Sequence, residues 1–105
     1  MSTPVYKMFK ARMREAWYQL SKEQQEVLET KMDEMVAKLG IQRVVVCNSN
    51  WYSEQWTFWG VEVFPSIEVV QEYANFLDQL DWFRFCESEM MLGTHVPMSQ
   101  PANPA

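Results

Sequence analysis

The feature that most constrains this chain is the aromatic-rich stretch from Trp51 to Ser66, WYSEQWTFWGVEVFPS. It holds three of the five tryptophans and two of the six phenylalanines, and it ends in Pro65-Ser66. Proline stops a strand, and serine is a preferred residue for beginning a helix. We therefore interpret 51–64 as a central strand, starting near Gln55, with apolar side chains on both faces.

The chain before this stretch predicts a strand, a helix and a second strand. Residues 5–12, VYKMFKAR, are predicted as the first strand, and 41–48, IQRVVVCN, as the second because they are short and β-branched. The helix between them begins at Ser21, where Ser21-Lys22-Glu23-Gln24 fits a capping box. Gly40 is placed to end it in a left-handed turn. Its apolar stripe has the helical period: Leu28, Met32, Met35 and Leu39.

The chain after this stretch predicts a second helix, a last strand and a tail. Ser66 caps an amphipathic helix whose apolar side covers about half of its circumference. Residues 82–91, WFRFCESEMM, are predicted as the last strand, which Gly93 closes. Residues 94–105 hold three of the five prolines and show no period, so we expect an extended or disordered tail.

The element order β-α-β-β-α-β predicts an α+β, ferredoxin-like fold for residues 1–93 as a single domain. Right-handed crossovers place both helices on one face of a four-stranded antiparallel sheet of order 4-1-3-2. Cys47 and Cys86 then lie on opposite edge strands. They are too far apart for a disulfide, which needs Cα atoms within about 7 Å.

Composition excludes several classes of partner. A 105-residue chain with a net charge of −5 offers phosphate backbones no basic surface, so nucleic acid is not an expected partner. The N-terminal residues show no apolar signal segment, and no apolar run approaches the ~18 residues that span a bilayer. We therefore expect a cytoplasmic protein that does not associate with membranes.

The second face of the predicted sheet lacks the polar residues that a solvated face requires. In the third and fourth strands, the side chains on both faces are apolar. The simplest explanation is a homodimer in which two sheets pack face to face. In the third strand one face carries Trp56, Phe58 and Phe64 and the other carries Trp59, Val61 and Val63. In the fourth strand one face carries Phe83 and Phe85 and the other carries Trp82 and Met90.

Residues 5 to 92 resemble the dimeric α/β-barrel superfamily, which includes small monooxygenases and muconolactone-type isomerases. The resemblance lies in the element order, in the size and in a sheet that is apolar on both faces. More locally, AWYQLSKEQQ and LDWFRF are similar to darcynin-like proteins of unknown function. The resemblance implies a homodimer that binds or converts a small hydrophobic or aromatic molecule without a cofactor. The sequence contains no recognisable catalytic motif of the superfamily.

The resemblance also implies a pocket on the sheet face away from the helices. We expect Trp56, Phe58, Gly60, Glu62 and Phe64 to line it, with Gly60 leaving room for a ligand. Lys10 or Arg12 on the neighbouring strand would pair with the Glu62 carboxylate. Such a carboxylate either takes a proton from the bound molecule or forms a structural ion pair.

His95 is the only histidine. It is either a general base brought to the pocket by the tail or a solvated side chain. One histidine and two distant cysteines do not make a usual metal site, and no metal is expected. Two functions stay open: a small-molecule-binding dimer, or a non-catalytic structural or regulatory dimer with a solid interior. A cavity beside Glu62 would favour the first.

Overall fold

Four antiparallel strands form one open sheet in the computed structural model, which describes residues 2–97. The strand order is β2-β3-β1-β4, the order predicted from the sequence when read from the opposite edge. The predicted tail lies beyond the last strand, and residues 98–105 of it are outside the described residues. The elements are β1 (Val5–Met13), α1 (Glu15–Tyr18), α2 (Lys22–Lys38), β2 (Gln42–Asn48), β3 (Phe58–Phe64), α3 (Ile67–Gln79), a 3₁₀ turn (Trp82–Arg84) and β4 (Cys86–Gly93).

Local signals set both ends of α2. The Ser21 hydroxyl accepts a hydrogen bond from the Gln24 amide, and the Gln24 side chain accepts one from the Ser21 amide, which completes the predicted capping box. Gly40 has φ +72° after the last turn. The Ile41 amide then donates to the Val36 carbonyl, the closing bond of a Schellman motif.

The core lies between the sheet and the two long helices, as the prediction of two helices on one face requires. Val5 and Phe64 from the sheet meet Val36 of α2, with Ile41 just after it. Tyr73 and Leu77 of α3 complete this cluster of buried side chains. Phe64 is fully buried and lies 6.0 Å from the Tyr73 ring, so the strand that the sequence marked as central does anchor the core.

The third strand is shorter than predicted. β3 begins at Phe58, and residues 49–57 form a loop. The Asn48 side chain accepts from the Asn50 amide, and the Ser53 hydroxyl accepts from the Trp56 amide, so side chains satisfy this backbone locally. Trp51 is 83% exposed, which shows that the aromatic residues at the start of the stretch do not join the sheet.

The last strand also begins later than predicted, at Cys86. Asp81 has φ +58° and turns the chain after α3, and a 3₁₀ turn follows where a strand was expected. The Trp82 and Phe85 rings pack edge-on against Trp17 of α1 at 5.5 and 6.2 Å. These contacts with the short helix, which the sequence did not predict, hold the segment in a compact turn.

The register of β1 assigns its two sets of side chains to the two sheet faces. Val5, Lys7 and Ala11 are buried on the helix-covered face. Their partners in β3 on the same face are Phe64, Glu62 and Phe58. Tyr6, Met8, Lys10 and Arg12 project from the opposite, helix-free face.

Candidate functional site

A cavity of about 410 Å³ lies between the sheet and the helices. All four strands form its floor, α2 and α3 contribute to its walls, and α1 and the 3₁₀ turn add aromatic rings. The floor residues are Lys7, Phe9, Ala11, Met13, Arg43, Val46, Phe58, Glu62, Cys86, Ser88 and Met90. The wall residues are Trp17, Glu29, Met32, Asp33, Tyr73, Leu77, Trp82 and Phe83.

A buried carboxylate with two cations marks one end of the cavity. Glu62 Oε1 lies 3.5 Å from Lys7 Nζ, and Glu62 Oε2 accepts a hydrogen bond from Arg43 Nε at 3.3 Å. The Glu62 side chain is 6% exposed, so both contacts are made in a largely dehydrated setting. Arg43 reaches outward as well, donating to Asp33 Oδ1 of α2 at 2.7 Å.

Lys7 combines this ion pair with an aromatic surround. Its Nζ lies 5.6–5.7 Å from the ring centres of Phe9, Phe64 and Tyr73, within the range of cation–π attraction. Burial lowers the pKa of the Lys7 ammonium from its ordinary value of 10.5, and the Glu62 carboxylate opposes that change. Lys7 is therefore less firmly held in its charged form than an exposed lysine.

Burial raises the pKa of two further titratable groups of the cavity, the Tyr73 hydroxyl and the Cys86 thiol. It raises the pKa of the Tyr73 hydroxyl above its ordinary value of 10.0, and the Glu62 charge adds to this. It raises the pKa of the Cys86 thiol from 9.0 to about 11. Near neutral pH Tyr73 is thus a protonated donor, and Cys86 is a thiol of low nucleophilicity.

The structure brings only part of the predicted site together. Phe58 and Glu62 line the cavity. Phe64, on the same face, is fully buried in the core beside it. The cavity lies on the helix-covered face, so its predicted location on the opposite face was wrong.

The predicted partners of Glu62 were also wrong. Lys10 and Arg12 project from the helix-free face, where Lys10 pairs with Glu89 at 3.2 Å. Arg12 makes a forked contact with Glu87, whose two carboxylate oxygens accept from Arg12 Nη2 at 3.0 and 3.2 Å. Strand alternation separates these cations from Glu62.

The remaining predicted site residues do not line the cavity. Trp56 belongs to the loop before β3, and its ring lies 5.2 Å from Lys10 Nζ. The space above Gly60 is taken by the Phe9 ring, so Gly60 leaves room for that ring instead of a ligand. His95 follows β4 as an exposed residue and is not among those that line the cavity.

Sequence reasoning missed Lys7 and Arg43, for different reasons. Lys7 projects from the same face of β1 as Val5 and Ala11. A charged residue among apolar residues on one strand face indicates a buried ion pair. Arg43 gives no such signal, because the register of β2 against β3 shifts between Arg43 and Val45. Only the paired strands show that Arg43 faces Glu62.

Residues 2–97 contain neither a cluster of metal-binding side chains nor a membrane-spanning helix. Within that range, no group of three or more His, Cys, Asp or Glu side chains is arranged to hold a metal ion. In the same part of the chain, no helix has the length and apolar character needed to cross a bilayer.

No protein-family model matches the chain, and no curated protein is significantly similar to it in sequence.

Proposed function

We propose that this chain binds a small, mainly apolar molecule in the cavity between its sheet and its helices. The observation that carries the proposal is the cavity of about 410 Å³, which has the buried Glu62–Lys7 pair and the more exposed Arg43 at one end and aromatic rings at the other. Its volume is within the ~300–1,000 Å³ typical of ligand sites. A few placed polar groups in an apolar surround are the usual means of orienting such a ligand.

The charges of the cavity favour a neutral ligand. The lining residues include two cationic side chains, Lys7 and Arg43. They also include three acidic ones, Glu29, Asp33 and Glu62, so the cavity has no excess of positive charge to attract an anion. An uncharged oxygen on the ligand would accept a hydrogen bond from either cation. The best match is an aromatic or aliphatic molecule with a hydroxyl or carbonyl group.

The geometry favours a binding role for Glu62 over the abstraction of a proton from the ligand. Each of its oxygens is in contact with a cation, Lys7 on one side and Arg43 on the other. Taking a proton from a ligand would disturb one of these contacts. Glu62 therefore acts chiefly by fixing the positions of the two cations that meet the ligand.

We infer that the helix-free face of the sheet packs against a second copy of the chain, as in ferredoxin-like α/β-barrel dimers. Val45, Val61, Met8 and Met91 stand opposite one another and form an apolar row across all four strands, which we call the cross-sheet row. Met8 and Met91 are 51% and 65% exposed in the single chain. Because the cavity is on the other face, a solidly packed dimer and an open binding site are compatible.

Calorimetric titration with 2-naphthol, a neutral aromatic alcohol, tests the binding site. We expect saturable binding that Ser88→Phe weakens strongly, because Ser88 lines the cavity and a ring there would occupy it. Met91→Phe is the matched control, since it places the same ring on the same strand but on the helix-free face.

Glu62→Gln provides a second variant should Ser88→Phe prevent folding. It removes the charge that holds Lys7 and Arg43, so 2-naphthol affinity should fall. Affinity that is the same in the wild type, Ser88→Phe and Glu62→Gln would contradict the proposal.

A further inference from the structure

We propose that Lys7 captures carbonyl compounds as a Schiff base, so that the natural ligand of the cavity is an apolar aldehyde or ketone. This proposal rests on the proposed binding function and adds the chemical class of the ligand. Lys7 is the one lysine among the cavity-lining residues of the described chain. The reactive group would thus be an amine placed inside an apolar binding site.

The surroundings of Lys7 suit an amine that must react without its proton. The residue is 8% exposed, and three aromatic rings replace the water that would solvate its ammonium, while their cation–π attraction offsets part of that loss. Burial lowers its pKa. Desolvation of this kind is a recognised way to activate a lysine as a nucleophile. The titratable and charged groups that face it are Glu62 of β3, Arg43 of β2, Tyr73 of α3 and Cys86 of β4, with Asp33 of α2 beyond Arg43.

The reaction balances with groups already in the cavity. The ammonium passes a proton to Glu62, whose Oε1 is 3.5 Å away, and the free amine attacks the carbonyl carbon. The new C–N bond forms as the carbonyl electron pair moves to oxygen, which takes the proton that the attacking nitrogen releases and gives a carbinolamine. Loss of the hydroxyl as water, with the proton that Glu62 had accepted, leaves the protonated imine beside the Glu62 carboxylate. Nothing is oxidised or reduced, and one water is released.

Reductive trapping tests this assignment. The protein is incubated with 2-naphthaldehyde and cyanoborohydride near neutral pH, and the labelled residues are identified by peptide mass mapping. The chain has five lysines. We expect one equivalent of label among the lysines, concentrated at Lys7 and competed by 2-naphthol, besides any label on the α-amino group.

Two arginine variants make the result specific. Lys7→Arg keeps a cation beside Glu62 but lacks the primary amine, so labelling in the cavity should be lost. Lys10→Arg is the matched control, because Lys10 lies on the same strand with a side chain that is 48% exposed on the other face. Labelling at Lys7 should be unchanged in that variant.

The pH dependence separates a reactive Lys7 from a merely accessible one. The Glu62 charge raises the pKa of Lys7, so Glu62→Gln should lower it further. Labelling at Lys7 should then reach half its maximum at a lower pH than in the wild type. The neutral amine fraction changes about tenfold per pH unit below the pKa, so the shift is measurable.

The outcomes distinguish the two proposals. Label spread over Lys10, Lys22, Lys31 and Lys38, with 2-naphthol still bound in the cavity, would overturn the role of Lys7 and leave the binding function standing. Failure of both 2-naphthol and 2-naphthaldehyde to bind would overturn both. Label confined to Lys7, lost in Lys7→Arg and competed by 2-naphthol, would support both.

Discussion

At the scale of single residues, Gly60 shows how closely the floor of the cavity is built. A Cβ at this position would lie 2.7 Å from the Val45 carbonyl oxygen and 2.8 Å from an atom of the Phe9 ring. Phe9 in turn packs edge-on against Phe58 at 6.3 Å. The absent side chain of Gly60 therefore positions two of the aromatic rings that border the ligand space.

Gly60→Ala should destabilise the fold by about 1–3 kcal/mol, because backbone and a packed ring must both shift to admit a methyl group. Gly93→Ala is the matched control: no atom lies within 4 Å of its added Cβ, so its free energy of unfolding should change by less than about 0.5 kcal/mol. Urea denaturation measures both. Equal stabilities for the two variants would show that Phe9 does not occupy the space above Gly60.

At the scale of secondary structure elements, the stability of α2 depends more on the caps at its two ends than on the packing of its side chains. Val36 is its one buried residue, and Met32, Met35 and Leu39 are only partly covered. A helix that buries so little gains much of its definition from its caps, here the Ser21 capping box and the left-handed Gly40. Because α2 carries Asp33, these caps also hold one wall of the cavity in place.

Ser21→Ala should lower the free energy of unfolding by about 1 kcal/mol, since it removes the oxygen that accepts from the Gln24 amide. Thr30→Ala serves as the control: it removes a hydroxyl from an exposed position inside the same helix and should change stability by less than about 0.5 kcal/mol. Thermal unfolding followed by circular dichroism compares them. A Ser21→Ala protein as stable as Thr30→Ala would contradict the importance of the cap.

At the scale of the whole molecule, the two faces of the sheet carry different side chains. The helix-covered face holds the cavity with its buried ion pair. The helix-free face presents the cross-sheet row beside the exposed ion pair Lys10–Glu89 and the partly buried ion pair Arg12–Glu87. An apolar row beside pairs of both charge signs can match a copy of itself across a two-fold axis, which is the basis of the proposed dimer.

Met8→Glu tests that interface, because it places a charge in the middle of the cross-sheet row. Sedimentation at micromolar concentration should show a dimer for the wild type and a monomer for this variant. Val27→Glu is the control, since Val27 is similarly exposed, at 53%, but lies on α2. It should sediment as the wild type does. A monomeric wild type would remove the dimer from the proposal and leave the cavity unaffected.

Prediction from sequence succeeded where the signals are local or periodic. The caps at Ser21 and Gly40, the two long helices and the strand order follow from residues close in the chain and from general rules of connection. It failed in two places, one decided by hydrogen bonds within a loop and one by a distant contact. The start of β3 at Phe58 and the 3₁₀ turn at Trp82 reflect loop hydrogen bonds and packing against Trp17.

The sequence by itself determined the order of the four strands and two long helices, the ends of α2 and the division of β1 into two sets of side chains, because each is encoded within a few residues. Only the tertiary structure decided which set faces the helices, since both sets contain apolar and charged members. That choice placed Lys7 and Arg43, instead of Lys10 and Arg12, beside Glu62. Pairing across strands is a contact between distant parts of the chain, so no local pattern could specify it.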